Sequence, residues 1–504
     1  MPPRIGETEQ MSSPQEPELF RRRAGVLLHP TSLPGPHGVG GLGHEARRFV
    51  DWLAQAGLSI WQVLPLVPPG AGDSPYSSPS AFAGNPLLID LPTLVQEGLL
   101  TPEEAADTVP ASVRVDFGAV RAFKLARLER ATARLSQADL EQFRAESPWV
   151  EAYALFEAQS RARNGEPWWM WPADLRVYAP DAVARLRETR RAEIDRVVGE
   201  QLLFDRQWRA LRAYAGARGV KLMGDMPIYV DANSADVWSN QPHFVLDADG
   251  GRPVVSGVPP DAFSETGQLW GNPLYDWPRM AAEGYAWWVA RVQRVLALTD
   301  FVRIDHFRAF AAYWEVPGDA IDARGGRWVE GPGLGLFHAL RAALGALPIV
   351  AEDLGVIDDP VRHLLAATGL PGMKVLQFAF GEDARNPYLP HRHTPGSVVY
   401  TGTHDNETTL GWWQGAPENV RDHVRRYYGI SGNDVVWDLV RSALASVACF
   451  AIVPMQDLLE LDNRARMNTP SVAEGNWGWR LRPGDLTDGV AARVRALSTL
   501  YGRA

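Results

Sequence analysis

Apolar residues in this chain recur in short, nearly continuous runs, and longer segments with helical spacing separate the runs. Such runs are typical of parallel strands that are covered on both faces. Eight of them occur in order, at residues 25–29, 59–64, 221–229, 300–305, 348–352, 373–378, 397–401 and 450–455. Eight strands that alternate with helices predict an α/β fold, a (β/α)8 barrel of the TIM type.

Two connections in the predicted barrel are longer than a single crossover needs. The first, at about residues 68–215, has helical periodicity, and the second, at about residues 231–277, is loop-like and is expected at the active-site rim. Residues 24–504 otherwise form one catalytic barrel, and no β-sandwich domain is expected after the last strand. Residues 1–23 are polar and rich in Pro and Glu, which predicts a disordered N-terminal extension.

The composition narrows the class of partner. A formal charge of −10 and a pI near 5.6 argue against a nucleic acid, which is bound by clustered Lys and Arg. No apolar stretch approaches the roughly 20 residues of a membrane span, and no signal-peptide core is present. The one cysteine, Cys449, has no disulfide partner within the chain. We therefore expect a cytoplasmic protein that binds neither membranes nor nucleic acids.

Tryptophan is present in excess, with 19 residues in the chain. Sugars offer one explanation, because the C–H face of a glucose ring is apolar and packs on an indole plane while its hydroxyls bind polar groups at the edge. Most individual tryptophans are better explained as core residues. Those in polar, Gly/Pro-rich loops are the candidates for sugar contacts.

Three acidic residues follow apolar runs at roughly 50-residue intervals, about one strand–helix unit of a large barrel. They are Asp305, Glu352 and Asp405. Catalytic residues of this fold stand at the C-terminal ends of strands, so the three carboxylates are expected on one rim. Two carboxylates that flank a glycosidic bond perform retaining chemistry, one as nucleophile and one as proton donor. Sugar transfer is therefore the leading hypothesis.

The neighbours of these acids suggest separate roles. Arg303 lies two positions before Asp305 and points to the same face of the strand, so its guanidinium would keep Asp305 ionised as a nucleophile. Glu352 would need a raised pKa to act as the acid, from apolar surroundings or from nearby negative charge. Taken singly, a structural Arg–Asp pair and a solvated turn are the simpler interpretations. Their joint placement at successive strand ends favours catalysis.

Asp405 lies in a polar cluster where it could accept hydrogen bonds from sugar hydroxyls while His404 donates another. The alternative is that Asp405 caps the next helix. Asp225 stands in the third run and could orient Arg303 or the nucleophile, bind a hydroxyl or serve a structural role. Each of these interpretations stays open at this point.

The segment 257–273 is stiffened by prolines and carries Phe263 and Trp270, as a lid over a sugar cleft would. An ordinary surface loop is the alternative. No metal site is predicted, because the chain has no H-E-x-x-H motif and no Cys/His cluster. His306 and His404, near strand ends, are better suited to hydroxyl contacts than to metal binding.

The ordered motifs of this chain resemble those of the 4-α-glucanotransferases, also called amylomaltases or disproportionating enzymes, a branch of the α-amylase clan. The resemblance extends from about residue 23 to the C-terminus. Its motifs are HPTSLP at 29–34, SPY at 74–76, GDMP at 224–227, the loop 259–273, RIDH at 303–306, AEDLG at 351–355, THDN at 403–406 and NW at 476–477. It implies transfer of α-1,4-glucan segments to the 4-hydroxyl of glucose or another α-1,4-glucan, with cyclic glucans as further products.

The resemblance also implies roles for individual residues. Asp305 would be the nucleophile, Glu352 the acid/base and Asp405 the transition-state stabiliser. Further residues would contact the substrate: Arg303, Asp225, His404, Tyr76, Asp261, Phe263, Trp270, Asn272 and His306. The implied partners are maltooligosaccharides, amylose and glycogen, and no cofactor or metal is expected.

Two alternatives remain at this stage. An α-glucan hydrolase would use the same residues, because the spacing of the carboxylates does not decide whether water or a sugar hydroxyl takes the glycosyl group. A non-catalytic glucan-binding protein on a degenerate barrel is the other alternative. Retention of all three acids argues against it.

Overall fold

The computed structural model describes residues 19–106, 109, 112–260 and 264–504. Its strands, numbered β1 to β12 in chain order, are Arg23–Leu27, Ile60–Gln62, Lys221–Met226, Val254–Val258, Gln268–Pro273, Phe301–Ile304, Ala312–Pro317, Arg327–Glu330, Ile349–Ala351, Gly372–Val375, Ser397–Tyr400 and Phe450–Pro454. Eight of them form one parallel sheet in the order β10-β11-β12-β1-β2-β3-β6-β9. Helices cover this sheet, so the predicted (β/α)8 barrel is confirmed.

The sheet curls into a nearly closed barrel. Its two outer strands, β9 and β10, approach each other where the Ala351 N–H donates to the Pro371 carbonyl at 2.9 Å. Strands β2, β6, β9, β11 and β12 are buried throughout, which explains their continuous apolar sequence. Two of the apolar runs, 221–229 and 373–378, extend beyond the ends of the strands that form in them, β3 and β10. Strand β3 ends before Pro227, which has no N–H to donate, and a 3-10 turn, Leu376–Phe378, follows β10.

Helices surround the barrel and build the long insertion between β2 and β3. The helices are His44–Gln55, Leu91–Gln96, Pro102–Ala105, Phe117–Thr132, Gln137–Glu146, Val150–Ala162, Ala173–Arg176, Pro180–Thr189, Arg191–Gly216, Ala235–Ser239, Trp277–Ala282, Ala286–Leu298, Gly333–Leu344, Asp359–Thr368, Thr409–Gly415, Glu418–Tyr428, Val435–Ala445, Met455–Leu458 and Asp488–Leu500. Among the described residues, no helix has both the length and the apolar character needed to cross a membrane.

A second, four-stranded antiparallel sheet stands beside the barrel, in the order β5-β4-β7-β8. The segment 231–277, expected to be loop-like, contributes strands β4 and β5 and the helix Ala235–Ser239 to this region. Strands β7 and β8 follow β6 and were not predicted. Strand β8 is largely exposed. The register between β4 and β5 shifts between Val255 and Gly257. None of these three strands therefore shows a clean alternation of apolar and polar residues.

The last residues of the predicted N-terminal extension contact the N-terminal end of the barrel. The Phe20 ring lies 6.0 Å from that of Phe301 and 5.7 Å from that of Phe450. Arg22 donates hydrogen bonds to the Leu444 carbonyl at 2.9 Å and to the Ser446 carbonyl at 2.5 Å. Residues 1–18 of the extension lie outside the described part of the chain.

Candidate active site

Four of the candidate residues stand near the C-terminal ends of neighbouring strands. Asp225 lies in β3, Arg303 lies in β6, Asp305 directly follows β6, and Glu352 directly follows β9. Strands β3, β6 and β9 are adjacent in the barrel, so the four side chains share one rim. The same rim carries Asp405, in the loop that follows β11.

The Arg303 guanidinium lies between two carboxylates. Its Nη1 donates to both oxygens of Asp225 at 2.9 and 2.7 Å, and its Nη2 donates to Oδ1 of Asp305 at 2.7 Å. Burial disfavours the charge of Arg303, but Asp225 and Asp305 together hold its pKa well above the ordinary value. Asp225 is buried, whereas the Asp305 side chain is 29% exposed. Asp305 is therefore the carboxylate of this group that can meet a substrate.

Tyr76 links the β3 side of the rim to the β11 side. Its hydroxyl donates to Oδ2 of Asp225 at 2.8 Å, and its ring stacks on His404 with centroids 5.2 Å apart. Burial raises the pKa of Tyr76 well above the ordinary value, and the charges of Asp225, Asp305 and Asp405 raise it further. Tyr76 is consequently a neutral hydroxyl that orients Asp225, and its ring packs on His404.

Glu352 is buried and accepts two backbone hydrogen bonds. The His306 N–H donates to Oε2 at 2.7 Å, and the Leu354 N–H donates to Oε1 at 2.8 Å. His306 has a left-handed backbone conformation, with φ of 55°, which an L residue adopts only at a local cost. Burial and the charge of Asp305 raise the pKa of Glu352 to about 8, against the opposing effect of Arg303 and the two N–H groups. Glu352 is therefore protonated at neutral pH and ready to donate a proton.

An aromatic surface borders the Glu352 side of the site. The Trp270 ring meets the His306 ring edge to face at 4.7 Å, and Trp270 is 37% exposed. Burial lowers the pKa of His306 to about 4, so this imidazole is neutral at pH 7. The Asn272 amide donates to the Val230 carbonyl at 3.1 Å, which ties β5 to the loop after β3. Two further candidates, Asp261 and Phe263, lie outside the described residues.

Asp405 does not cap the following helix, because Thr408 does so through a hydrogen bond from the Gly411 N–H. The Asp405 carboxylate instead lies 3.3 Å from His404 Nε2, with its side chain 42% exposed. Asn468 donates to Asp405 Oδ1 at 2.6 Å. The carboxylate is therefore held in place and open to the cleft.

Residues 466–468 complete this part of the site and were not predicted from the sequence. Arg466 donates to the Asp405 carbonyl at 2.5 Å and to the Asn468 carbonyl at 2.7 Å. The Asn468 N–H donates to the His404 carbonyl at 3.1 Å. The one signal available in the sequence was a cluster of polar residues after β12, the last strand of the barrel. Within the described residues, no group of three or more His, Cys, Asp or Glu side chains could hold a metal ion.

A barrel with four carboxylates on one rim, two of them bound to one buried arginine, and with aromatic faces beside them defines the class of carbohydrate-active barrel enzymes. The chain belongs to the 4-alpha-glucanotransferase family, whose family model matches residues 28–487. As a member of that family it is an enzyme with 4-alpha-glucanotransferase activity, so the non-catalytic alternative is set aside.

Known relatives match nearly the whole chain. The 4-alpha-glucanotransferase of Thermus thermophilus is 48% identical over 95% of this chain and 98% of its own length. The chloroplastic/amyloplastic 4-alpha-glucanotransferase of Arabidopsis thaliana is 47% identical over 99% of this chain and 88% of its own length. The amylomaltase of Streptococcus agalactiae, solved in complex with acarbose, superposes with a TM-score of 0.93 at 37% identity, covering 96% of this chain and 100% of that one.

Proposed function

We propose that this enzyme transfers segments of α-1,4-glucan to the 4-hydroxyl of glucose or of another α-1,4-glucan through a covalent glycosyl-Asp305 intermediate. The observation that carries the proposal is the contrast between two neighbouring acids. Asp305 is hydrogen-bonded to a buried guanidinium, whereas burial keeps Glu352 protonated. One acid held by a fixed positive charge, beside another that keeps its proton, is the arrangement that a nucleophile and a general acid require.

In the first step, an Asp305 oxygen attacks the anomeric carbon of the donor glucan. The bond from that carbon to the departing glycosidic oxygen breaks, and the Glu352 proton moves to this oxygen. Arg303 orients the nucleophile through the hydrogen bond from its Nη2 to Asp305 Oδ1 at 2.7 Å. The proton required at neutral pH is available because the pKa of Glu352 is about 8.

In the second step, the 4-hydroxyl of an acceptor attacks the same carbon and the bond to Asp305 breaks. Glu352, now a carboxylate, takes the proton of the hydroxyl. Two displacements restore the α configuration. An acceptor on the same chain gives a cyclic glucan. No atom of either step comes from a cofactor.

Asp405 and His404 are proposed to bind hydroxyls of the sugar that reacts. Their contacts would strengthen as the ring flattens towards an oxocarbenium ion, which favours the transition state over bound substrate. Tyr76, Trp270 and His306 are proposed to contact the neighbouring glucose units of maltooligosaccharides, amylose or glycogen. We also propose a cytoplasmic location, supported by the single cysteine, Cys449, whose thiol is free.

Incubation with maltotriose tests the proposal. Transfer predicts glucose together with longer oligomers at a constant number of reducing ends. A rise in reducing ends that matches the loss of maltotriose would indicate a hydrolase and refute the proposal. Asp305→Asn serves as the inactive comparison. Asp422→Asn, an acid that pairs with Arg426 at the surface of the helix Glu418–Tyr428, serves as the matched control.

A further inference from the structure

Arg308 is a buried arginine outside the group of residues described above. It lies on the 3-10 turn Phe307–Phe310, which directly follows His306. Its Nη1 donates to the Val356 carbonyl at 2.5 Å, and its Nη2 donates to Asp358 Oδ2 at 3.2 Å. Both acceptors belong to the loop that follows Glu352. Arg308 thus bridges two segments of the rim that are separate in sequence.

These two segments supply both backbone donors to the Glu352 carboxylate. The His306 N–H lies two residues before Arg308, and the Leu354 N–H lies two residues before Val356. Neither donor position is fixed by regular secondary structure, because His306 is left-handed and the loop 352–358 is neither helix nor strand. A cross-link between the segments therefore controls the spacing of the two donors.

At the start of this loop, the Phe307 N–H donates to the Glu352 carbonyl at 3.0 Å. Two further contacts hold other parts of the loop. Asp353 accepts from the Met373 N–H at 2.6 Å on the β10 side, and Arg362 donates to the Ile357 carbonyl at 2.6 Å from an exposed position. Neither contact reaches the segment of His306. The Arg308 side chain joins the later part of the loop, at Val356 and Asp358, to the β6 side of the rim.

Arg308 is itself held by the second sheet. Its guanidinium lies over the Trp328 ring of β8 at 3.8 Å from the centroid. Trp328 in turn meets the Trp314 ring of β7 at 5.1 Å. A guanidinium stacked on an indole and bound to two oxygens keeps one orientation, which a lysine ammonium would not reproduce.

We propose that Arg308 is a positioning residue for Glu352, which fixes the two N–H donors that aim its carboxyl group at the glycosidic oxygen. This inference rests on the proposed acid/base role of Glu352. Arg308 itself does not touch the reacting atoms. Its loss should slow proton donation while leaving attack by Asp305 largely unchanged.

Two glycosyl-donor substrates with different leaving groups distinguish an effect on proton donation from an effect on attack by Asp305. Departure of the sugar from maltotriose needs a proton, whereas the fluoride of α-maltosyl fluoride leaves without one. Arg308→Met is expected to lower kcat/KM for maltotriose by about 10- to 100-fold, a part of the roughly 10²- to 10⁴-fold effect of a general acid. For α-maltosyl fluoride with excess glucose as acceptor, the loss should stay below about 3-fold, because kcat/KM reports the steps up to departure of fluoride.

Two further variants complete the test. Arg308→Lys keeps the charge but not the planar fork, so we expect an intermediate loss with the same preference for the fluoride donor. If Arg308→Met fails to fold, the ratio measured on Arg308→Lys decides the question. Arg327→Met is the matched control, because Arg327 precedes Trp328 and pairs with Glu315 at the surface. It should behave as wild type.

Equal losses with both donors, or no loss with maltotriose, would overturn the role of Arg308. The proposed function is judged separately on the wild-type enzyme. If wild type rearranges maltotriose and Arg308→Met lowers kcat/KM equally for maltotriose and α-maltosyl fluoride, only this inference fails. If wild type does not rearrange maltotriose, the proposed function fails first.

Discussion

Nη2 of Arg303 lies 2.7 Å from Oδ1 of Asp305, and the same guanidinium binds both oxygens of buried Asp225. This arrangement ties the partly exposed Asp305 carboxylate to a fixed positive charge. The cost of burying Arg303 is offset by Asp225, so the guanidinium remains in place when substrate displaces water from Asp305. This one contact therefore orients the nucleophile beside a fixed positive charge.

Asp305→Asn should abolish turnover and leave glucan binding largely intact. The amide keeps the size of the side chain but cannot form the glycosyl ester, so we expect kcat to fall by about 10⁴-fold or more. Calorimetric titration of the variant with maltoheptaose should give a Kd within about 3-fold of wild-type affinity. Undiminished turnover would refute the assignment of the nucleophile.

The pH dependence should report the raised pKa of Glu352. The acid must be protonated for the first step, so kcat/KM for maltotriose should fall about tenfold per pH unit above about 8. With α-maltosyl fluoride this alkaline limb should be much weaker. If the activity instead began to fall with rising pH near the ordinary carboxyl pKa of 4.5, the assignment of Glu352 as the acid would be contradicted.

The raised pKa of Glu352 also makes the stability of the protein depend on pH. The folded protein holds the Glu352 proton more tightly than the unfolded chain does, because burial raises the pKa from 4.5 to about 8. The contribution of Glu352 therefore makes the free energy of unfolding decrease as pH rises across this window. Glu352→Gln should remove that part of the slope, which urea unfolding at pH 5 and pH 8 measures against wild type.

Asn468→Ala should lower kcat by about 10-fold with little change in thermal stability. Asn468 donates to Asp405 Oδ1 at 2.6 Å, so its loss leaves the carboxylate free to rotate away from the sugar. Steady-state kinetics with maltotriose checks the change, with Asn433→Ala, an exposed asparagine, as the control. Unchanged kcat would show that Asp405 is held by other contacts.

Trp270→Ala should raise KM for maltotriose by about 3- to 10-fold, consistent with roughly 0.5–1.5 kcal/mol for an aromatic contact. The indole is 37% exposed beside His306, where it can pack on a sugar face. Trp270→Phe should recover most of the loss. A KM equal to that of wild type in Trp270→Ala would remove Trp270 from the proposed binding surface.

The barrel could be predicted because its strands are buried on both faces. Such strands have nearly continuous apolar sequences, which are easy to recognise. The second sheet could not, because Trp328 and its neighbours on β8 are exposed and because β4 and β5 are irregular. Local apolar patterning reports burial on two faces far better than it reports an edge strand.

Apart from the family resemblance, candidate residues could be predicted mainly where a side chain stands at or just after the end of a strand, as Asp305 and Glu352 do. Asn468 reaches Asp405 across 63 residues of sequence, and no local pattern encodes that contact. The donors to Glu352 are backbone N–H groups of His306 and Leu354, which every non-proline residue possesses. Their alignment depends on the conformations of two loops, and this is the information that the three-dimensional structure adds.

The central claim is the covalent intermediate on Asp305, and peptide mass spectrometry tests it most directly. In Glu352→Gln, α-maltosyl fluoride can still glycosylate the enzyme, but no base activates the acceptor, so the intermediate should accumulate. We predict one maltosyl group on the peptide that contains Asp305, and none when Asp305→Asn is added to the same variant. Release of fluoride without a modified peptide, or a maltosyl group on another residue, would contradict the account.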